Sequence, residues 1–353
     1  MRKHGILLVN LGSPDSPSVG DVRKYLREFL LDPRVIDVPY PIRLGIVYGA
    51  VLPFRPRVSA EAYSKIWTDD GSPLVVVSES LRRSLQEHMG MPVELAMRYQ
   101  NPTIESALMR LSAGGMNEIL VIPLFPHHAM SSYESAVVRV REVAMKTAPE
   151  LRLSILPPYY DHPEYIGALL ATAAPYLEHS YDHFLFSFHG LPERHLRKAN
   201  AECRDCLRRA DCGEDPEAQS RTCYRRHCLT TVNRFASAAR LDRNRFSFAF
   251  QSRLGADAWL KPATHDEIIR LASSGIRNLM VICPAFTVDC LETLEEIGMR
   301  GRKAFVEAGG DELMLIPCLN DGAVWVEALA RMVSKVHPLQ LIQKSDNRRQ
   351  SLM

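Results

Sequence analysis

The chain has 353 residues, 46% of them apolar, which is enough for two domains that each bury a core and excludes a disordered or fibrous protein. Its 43 basic and 41 acidic residues leave a formal charge of +2 and are scattered rather than blocked, so no nucleic-acid partner is implied. No apolar run approaches the roughly 18 residues that a bilayer span needs, and Ile6 to Val9 is too short for an export signal, so the expectation is a cytoplasmic protein with membrane contact at most peripheral.

Taken in chain order, short β-branched or aromatic runs recur at Ile6 to Val9, Ile119 to Ile122, Phe184 to Phe188, Phe246 to Phe250 and Leu279 to Ile282. Longer segments of helical period separate them, a pattern that reads as buried parallel strands with crossover helices, an α/β architecture. One helix is placed closely: Asn101 as cap, Pro102 in the first turn, Ile104, Leu108 and Leu111 on one face, and Gly114-Gly115 as the stop.

The stretch Arg110 to Ile122 aligns without gaps on Arg270 to Ile282, and Leu8 to Asp15 reads in register against Phe186 to Glu193, each a strand leaving through Gly-x-Pro-acid. Duplicated halves are implied, with strand ends facing a shared cleft where Leu11 and His189 oppose each other. The break is placed near Pro157-Pro158, giving a first half over 1–156 and a second over 157–318. A segment over 319–336 and a polar, aperiodic tail over 337–353 follow.

Two constellations carry chemistry. His189 stands just past the strand Phe184 to Phe188 and before Gly190, backed by fixed structure yet open to a ligand, as a base working near neutral pH requires. The plainer reading is a polar loop histidine after a buried strand. Asp289, Glu292 and Glu296 are spaced i, i+3 and i+7, so on a helix they share a face at the cleft mouth, suited to relaying protons or hydrated cations. The same residues would also complement a helix N-terminus.

Five of the eight cysteines, Cys203, Cys206, Cys212, Cys223 and Cys228, fall within 26 residues and are interleaved with arginines. Thiolates in positive surroundings are good soft-metal ligands. The spacing C-x2-C-x5-C-x10-C-x4-C lacks the second C-x2-C of a zinc ribbon, while an iron–sulfur cluster tolerates irregular spacing; both remain open on the residues alone.

In combination and order, Phe186-Ser-Phe-His-Gly-Leu-Pro-Glu-Arg194, Phe250-Gln-Ser-Arg253 with Trp259, and Asp289-Cys-Leu-Glu-Thr-Leu294 resemble the ferrochelatases. Leu8-Val-Asn-Leu-Gly-Ser-Pro14, Ala62-Tyr-Ser-Lys-Ile66 leading to Gly71-Ser-Pro-Leu74, Met97-Arg-Tyr99 and Pro317-Cys-Leu-Asn-Asp321 extend the resemblance to about residue 335. It implies two Rossmann-like domains of parallel sheets flanked by helices, a porphyrin cleft between them, and a C-terminal helix over 319–336 packing back on the first half.

The implied reaction is insertion of Fe2+ into protoporphyrin IX with release of two protons, the partners being a porphyrin and ferrous iron. By resemblance His189 accepts a proton or presents iron, Glu292 with Glu296 behind it completes the iron site or carries charge away, and Leu11, Tyr63 and Trp259 line the cleft. Asp289 belongs to the same substrate-binding set. The resemblance also favours a [2Fe–2S] cluster in the insertion at 199–229, on Cys206, Cys212, Cys223 and Cys228 with Cys203 as the alternative.

Two positions depart from the family pattern: Cys290 stands where many relatives have His, and Pro126-His-His128 where they often carry Gln-Tyr. The competing readings are a coproporphyrin or other tetrapyrrole chelatase and a non-catalytic haem-binding or redox-sensing protein. The Asn10-Leu11-Gly12 opening favours protoporphyrin.

Overall fold

A computed structural model of the chain describes residues 3–199, 222–253 and 257–336. Cys203, Cys206, Cys212 and the tail 337–353 lie outside the described residues.

Eight strands form two sheets. The first holds β1 (His4–Asn10), β2 (Val93–Met97), β3 (Glu118–Pro123) and β4 (Arg152–Ile155) in the order β2-β1-β3-β4. The second holds β5 (His183–His189), β6 (Phe246–Gln251), β7 (Asn278–Ile282) and β8 (Glu312–Leu315) in the order β6-β5-β7-β8. Every pairing is parallel, and the two orders are the same when β5 is matched with β1.

The five strands expected from apolar runs are all present. β2, β4 and β8 are not among them: each is a strand of only four or five residues begun or interrupted by a charged side chain, Glu94, Arg152 or Glu312, which leaves too short an apolar run to read.

The central strands bury both faces. Along β1, Ile6 and Leu8 enter the main core while Leu7 and Val9 enter a second core beneath the helix Ile104–Ala113. Along β5, Phe184, Phe186 and Phe188 join the same main core, and Leu185 points to a third with Ile268 and Ile297. The main core therefore runs between the sheets, where Tyr165 and Trp325 fill space that neither half closes alone. The helix Ala323–Val336 supplies Trp325 and packs against the helices Pro73–Met89 and Pro163–Leu177.

The helix expected after Asn101 begins later. Thr103 is its cap, its Oγ1 accepting from the Ser106 amide at 3.1 Å, so Asn101 and Pro102 lie ahead of the helix; Gly114 ends it as expected.

The repeated Gly-x-Pro exits share one physical cause. A Cβ on Gly12 would strike the Tyr99 carbonyl just past β2, and a Cβ on Gly190 would lie 2.6 Å from the Gln251 carbonyl at the end of β6. In both halves the chain leaving the central strand passes too close to its neighbour's backbone for any side chain.

Among the described residues no helix is long and apolar enough to cross a membrane.

Candidate active site

The ends of β1, β3, β5 and the loop after β7 converge on one cavity of about 260 Å³. Asn10 ends β1, with Leu11 and Gly12 after it; Leu124 and His127 follow β3; His189 ends β5, with Leu191 after it; Thr287, Leu291 and Glu292 follow β7. Ligands of parallel α/β sheets bind at this end, because the carboxyl ends of the strands leave a crevice there. The halves are stitched across it by Thr287, whose hydroxyl donates to the Leu124 carbonyl at 3.1 Å.

His189 is the half-buried last residue of β5. Its Nδ1 lies 2.6 Å from the Gly190 carbonyl, which can only accept, so Nδ1 carries the hydrogen and Nε2 presents a lone pair. The main chain around it is held twice more: Tyr224 Oη donates to the His189 carbonyl at 2.8 Å, and the Gly190 amide donates to the Gln251 carbonyl at 2.7 Å.

Glu292 lines the same cavity as the first residue of a π-helix, Glu292–Gly301. Gln251 Nε2 donates to its carbonyl at 3.1 Å. Tyr63, on the helix Arg55–Ile66, enters from the first half beside it. Burial first, then the charge of Glu292, pushes the Tyr63 phenol well above its ordinary value, so it stays a neutral donor. Tyr25 packs edge-on against it and lines the same wall, and Tyr99 packs edge-on against Tyr25 behind.

His127 is 2% exposed and also lines the cavity. Thr231 Oγ1 donates to the Tyr160 carbonyl at 2.7 Å and therefore accepts from His127 Nε2 at 2.9 Å. That leaves His127 Nδ1 as a buried lone pair without a partner among the described residues, and burial pushes the imidazole down to about 3. Sequence reasoning passed over this residue as polar loop. The signal that would have found it is the repeat itself, since His127 and Thr287 occupy equivalent positions after β3 and β7.

Leu11, His189, Tyr63 and Glu292 are thus brought together. Trp259, Glu296 and Asp289 are not part of the cavity wall. Trp259 bridges to Pro192 and packs under Gly190, supporting the turn that carries His189. Glu296 accepts from the amide and hydroxyl of Ser252 at 2.8 and 2.6 Å. Asp289 turns away, accepting from Thr293 Oγ1 at 2.9 Å and Asn320 Nδ2 at 2.8 Å. The expected single carboxylate face does not form: Asp289 precedes the helix, and the Glu296 carboxylate is taken up by Ser252 rather than the cavity.

Of the inserted cysteines within the described residues, Cys223 caps the helix Tyr224–Ala238, and Cys228 lies on that helix with no exposed surface, inside the main core. Burial pushes the Cys228 thiol well above its ordinary value, against a smaller opposing effect of its hydrogen bond with Tyr224. The arginines around it in sequence therefore do not surround it in the fold. Among the described residues no three His, Cys, Asp or Glu side chains gather as a metal site.

Two matched parallel sheets with a cleft at their strand ends, lined by an imidazole with a fixed lone pair and a carboxylate, define a two-lobed α/β ligand-binding enzyme. The fold is shared with the cobalt complex of the sirohydrochlorin chelatase SirB from Bacillus subtilis subspecies spizizenii (TM-score 0.54, 12% identity, 96% of this chain and 98% of that one). The family model for ferrochelatase matches residues 3–337. The ferrochelatase of Pseudomonas putida strain W619 is 50% identical over 95% of this chain and its own full length, and that of Azotobacter vinelandii strain DJ is 49% identical over 94% and 98%. The chain belongs to the ferrochelatase family.

Proposed function

We propose that the chain inserts Fe2+ into protoporphyrin IX in the cleft, with His189 and Glu292 as the catalytic pair. Metal insertion removes two pyrrole N–H protons while a divalent cation enters, so the site needs an acceptor aimed into the cleft and a charge that favours the cation. The carrying observation is His189: the Gly190 carbonyl takes its Nδ1 hydrogen, so Nε2 is held as the acceptor. Glu292 supplies negative charge at the same cavity, and the aromatic wall of Tyr25 and Tyr63 gives the macrocycle an apolar face to be pressed against and bent. Leu11 belongs to that apolar lining, whereas Trp259, Glu296 and Asp289 act by holding the loops in place.

Anaerobic assay of purified protein with ferrous iron and protoporphyrin, followed by haem absorbance, tests this reading. Haem is expected from the wild type, with loss in His189→Ala and Glu292→Ala; unimpaired turnover in either variant removes that residue from the pair. Coproporphyrin as substrate in parallel tests the preference inferred from Asn10-Leu11-Gly12.

The division into halves at 156/157 is retained as a proposal; Pro157-Pro158 falls between β4 and the helix Pro163–Leu177. For the proposed cytoplasmic, membrane-peripheral location, the membrane contact is supported by the exposed side chains Tyr40, Ile42, Tyr48, Phe54 and Val58. They lie in a segment whose inner residues Val47 and Leu52 pack on Leu26 and Phe29, two residues beside the cleft. Sedimentation with lipid vesicles, lost on Phe54→Ser with Ile42→Ser, tests that contact.

The insertion is proposed to hold a [2Fe–2S] cluster. Cys223, at the helix start, fits as a ligand. Cys228 fits less well: both thiols are buried, but Cys228 lies inside the main core, which Cys223 does not join, and five helical positions place it about 140° around the helix from Cys223. The favoured set therefore becomes Cys203, Cys206, Cys212 and Cys223, supplying structure or redox sensing rather than metal insertion. Cluster absorbance lost in Cys203→Ala and kept in Cys228→Ala would support this set; the reverse would restore the set read from sequence.

A further inference from the structure

We propose that Gln251 is a positioning residue that fixes His189 and Glu292 relative to each other; the proposal rests on the assignment of those two residues as the catalytic pair. Gln251 ends β6 directly opposite His189 in the parallel register. It is 3% exposed and does not line the cavity, so it touches no substrate.

Its two ends hold the two sides of the site. The Gln251 main-chain carbonyl accepts the Gly190 amide at 2.7 Å, and the carbonyl of that same Gly190 accepts the Nδ1 hydrogen of His189 at 2.6 Å. The Gln251 side chain donates from Nε2 to the Glu292 carbonyl at 3.1 Å. One residue therefore links the peptide that sets the His189 tautomer to the first peptide of the π-helix that presents Glu292.

The amide cannot rotate without loss. The Glu292 carbonyl only accepts, so Nε2 must face it, and Oε1 then accepts from Ser187 Oγ at 2.6 Å. Ser187 is fully buried and is fixed in turn by Thr264, 2.9 Å away and 1% exposed. A buried amide bonded at both its nitrogen and its oxygen is held rigidly, because breaking either bond leaves a polar atom unsatisfied.

Gln251→Glu and Gln251→Leu separate this role from a merely structural one. Gln251→Leu removes the side-chain bonds to Glu292 and Ser187, together with the longer 3.9 Å contact from the Cys283 thiol, and keeps the main-chain one. It is expected to lower kcat about ten- to hundredfold with KM for porphyrin changed less than about threefold, the signature of misplaced catalytic groups. In Gln251→Glu, the neutral carboxylic acid can still donate to the Glu292 carbonyl and accept from Ser187, whereas the ionised form cannot donate.

The ratio of the Gln251→Glu rate to the wild-type rate is therefore expected to fall as pH rises through the pKa of the introduced carboxyl, which burial places above about 4.3. A deficit in Gln251→Glu equal at every pH overturns the proposal, as does wild-type kcat in Gln251→Leu. Should Gln251→Leu fail to fold, the pH ratio alone decides. Wild-type rates in His189→Ala and Glu292→Ala would instead overturn the catalytic assignment, a separate outcome read from separate variants.

Discussion

Replacing Gly190 by alanine is the sharpest single-atom test of how the site is held. The added Cβ would lie 2.6 Å from the Gln251 carbonyl oxygen, which is 0.4 Å inside the 3.0 Å that real Cβ atoms respect, and 3.3 Å from Trp259 Cε3. The first obstacle is backbone of a paired strand and the second is a packed indole, so the turn itself must move. Gly190 carries the carbonyl that holds His189 Nδ1 and the amide held by Gln251, so any displacement is passed to the imidazole.

A misplacement of about 1 Å in a catalytic group can cost about a hundredfold in rate, and a shift of roughly half that predicts a ten- to hundredfold loss. Overpacking of this kind costs about 1–3 kcal/mol in stability. The assay is the initial rate of haem formation under anaerobic conditions, with porphyrin affinity measured separately by quenching of protein fluorescence and unfolding followed by circular dichroism. The expected result is a large fall in kcat with porphyrin affinity and fold retained. Wild-type kcat, or a loss that tracks porphyrin affinity alone, would refute the idea that this turn positions His189.

Three further outcomes follow from the packing and charge of the described residues. Burial opposes the charge on Asp32, yet hydrogen bonds from Ser135, the Arg34 amide and Tyr99, with the charge of Arg98, hold its carboxyl below the usual 3.8; its stabilisation is present above that value and is lost as pH falls through the lower, folded one. Asp32→Asn, by leaving Arg98 without its partner, should cost about 3 kcal/mol at neutral pH and flatten the acid limb of the stability curve; an unchanged denaturant midpoint at pH 7 would count against the network.

His127, held neutral down to about 3, takes up its proton only in the unfolded chain once pH drops below 6.5, so it should cost up to about 1.4 kcal/mol per pH unit between those values. His127→Gln should lessen the slope of stability against pH in that range, and an identical slope would show that the imidazole is hydrated or charged in the folded state. Phe235, fully buried and in contact with Phe184 and Phe186, should cost about 3–5 kcal/mol when cut to alanine, read as a shift in denaturant midpoint; a cost under about 1 kcal/mol would mean the core between the sheets collapses to fill the gap.

Five strands were legible in the sequence because β1, β3, β5, β6 and β7 are apolar wherever packing covers them, and both faces of the central strands are covered. The repeat of Gly12 and Gly190 was legible for a related reason: in each half a backbone approach forbids any side chain, so the residue type survives as a mark of the turn. His189 was legible as a strand-end residue, since the strand that precedes it sets where it stands; the bonds from Tyr224 and to Gln251 that hold its peptide group and turn were not legible.

What only the tertiary structure decided depends on partners far away in the chain or on a departure from regular geometry. Glu296 parts from Glu292 because its carboxylate is drawn to the amide and hydroxyl of Ser252, a partner 44 positions away that no helical spacing rule anticipates. Cys228 falls in a polar, arginine-rich stretch of sequence but is drawn into the core by its helix, on the side facing Tyr165 and Tyr224. His127 and Gln251 acquire their roles only when Thr231, Ser187 and Glu292 are brought beside them. Local pattern encodes which segments become strands and helices, because that depends on neighbours a few residues away. The contacts that hold the His189 peptide and Glu292 at one cleft reach from Tyr224 to His189 and from Gln251 to Gly190 and Glu292, and only the folded chain brings them together.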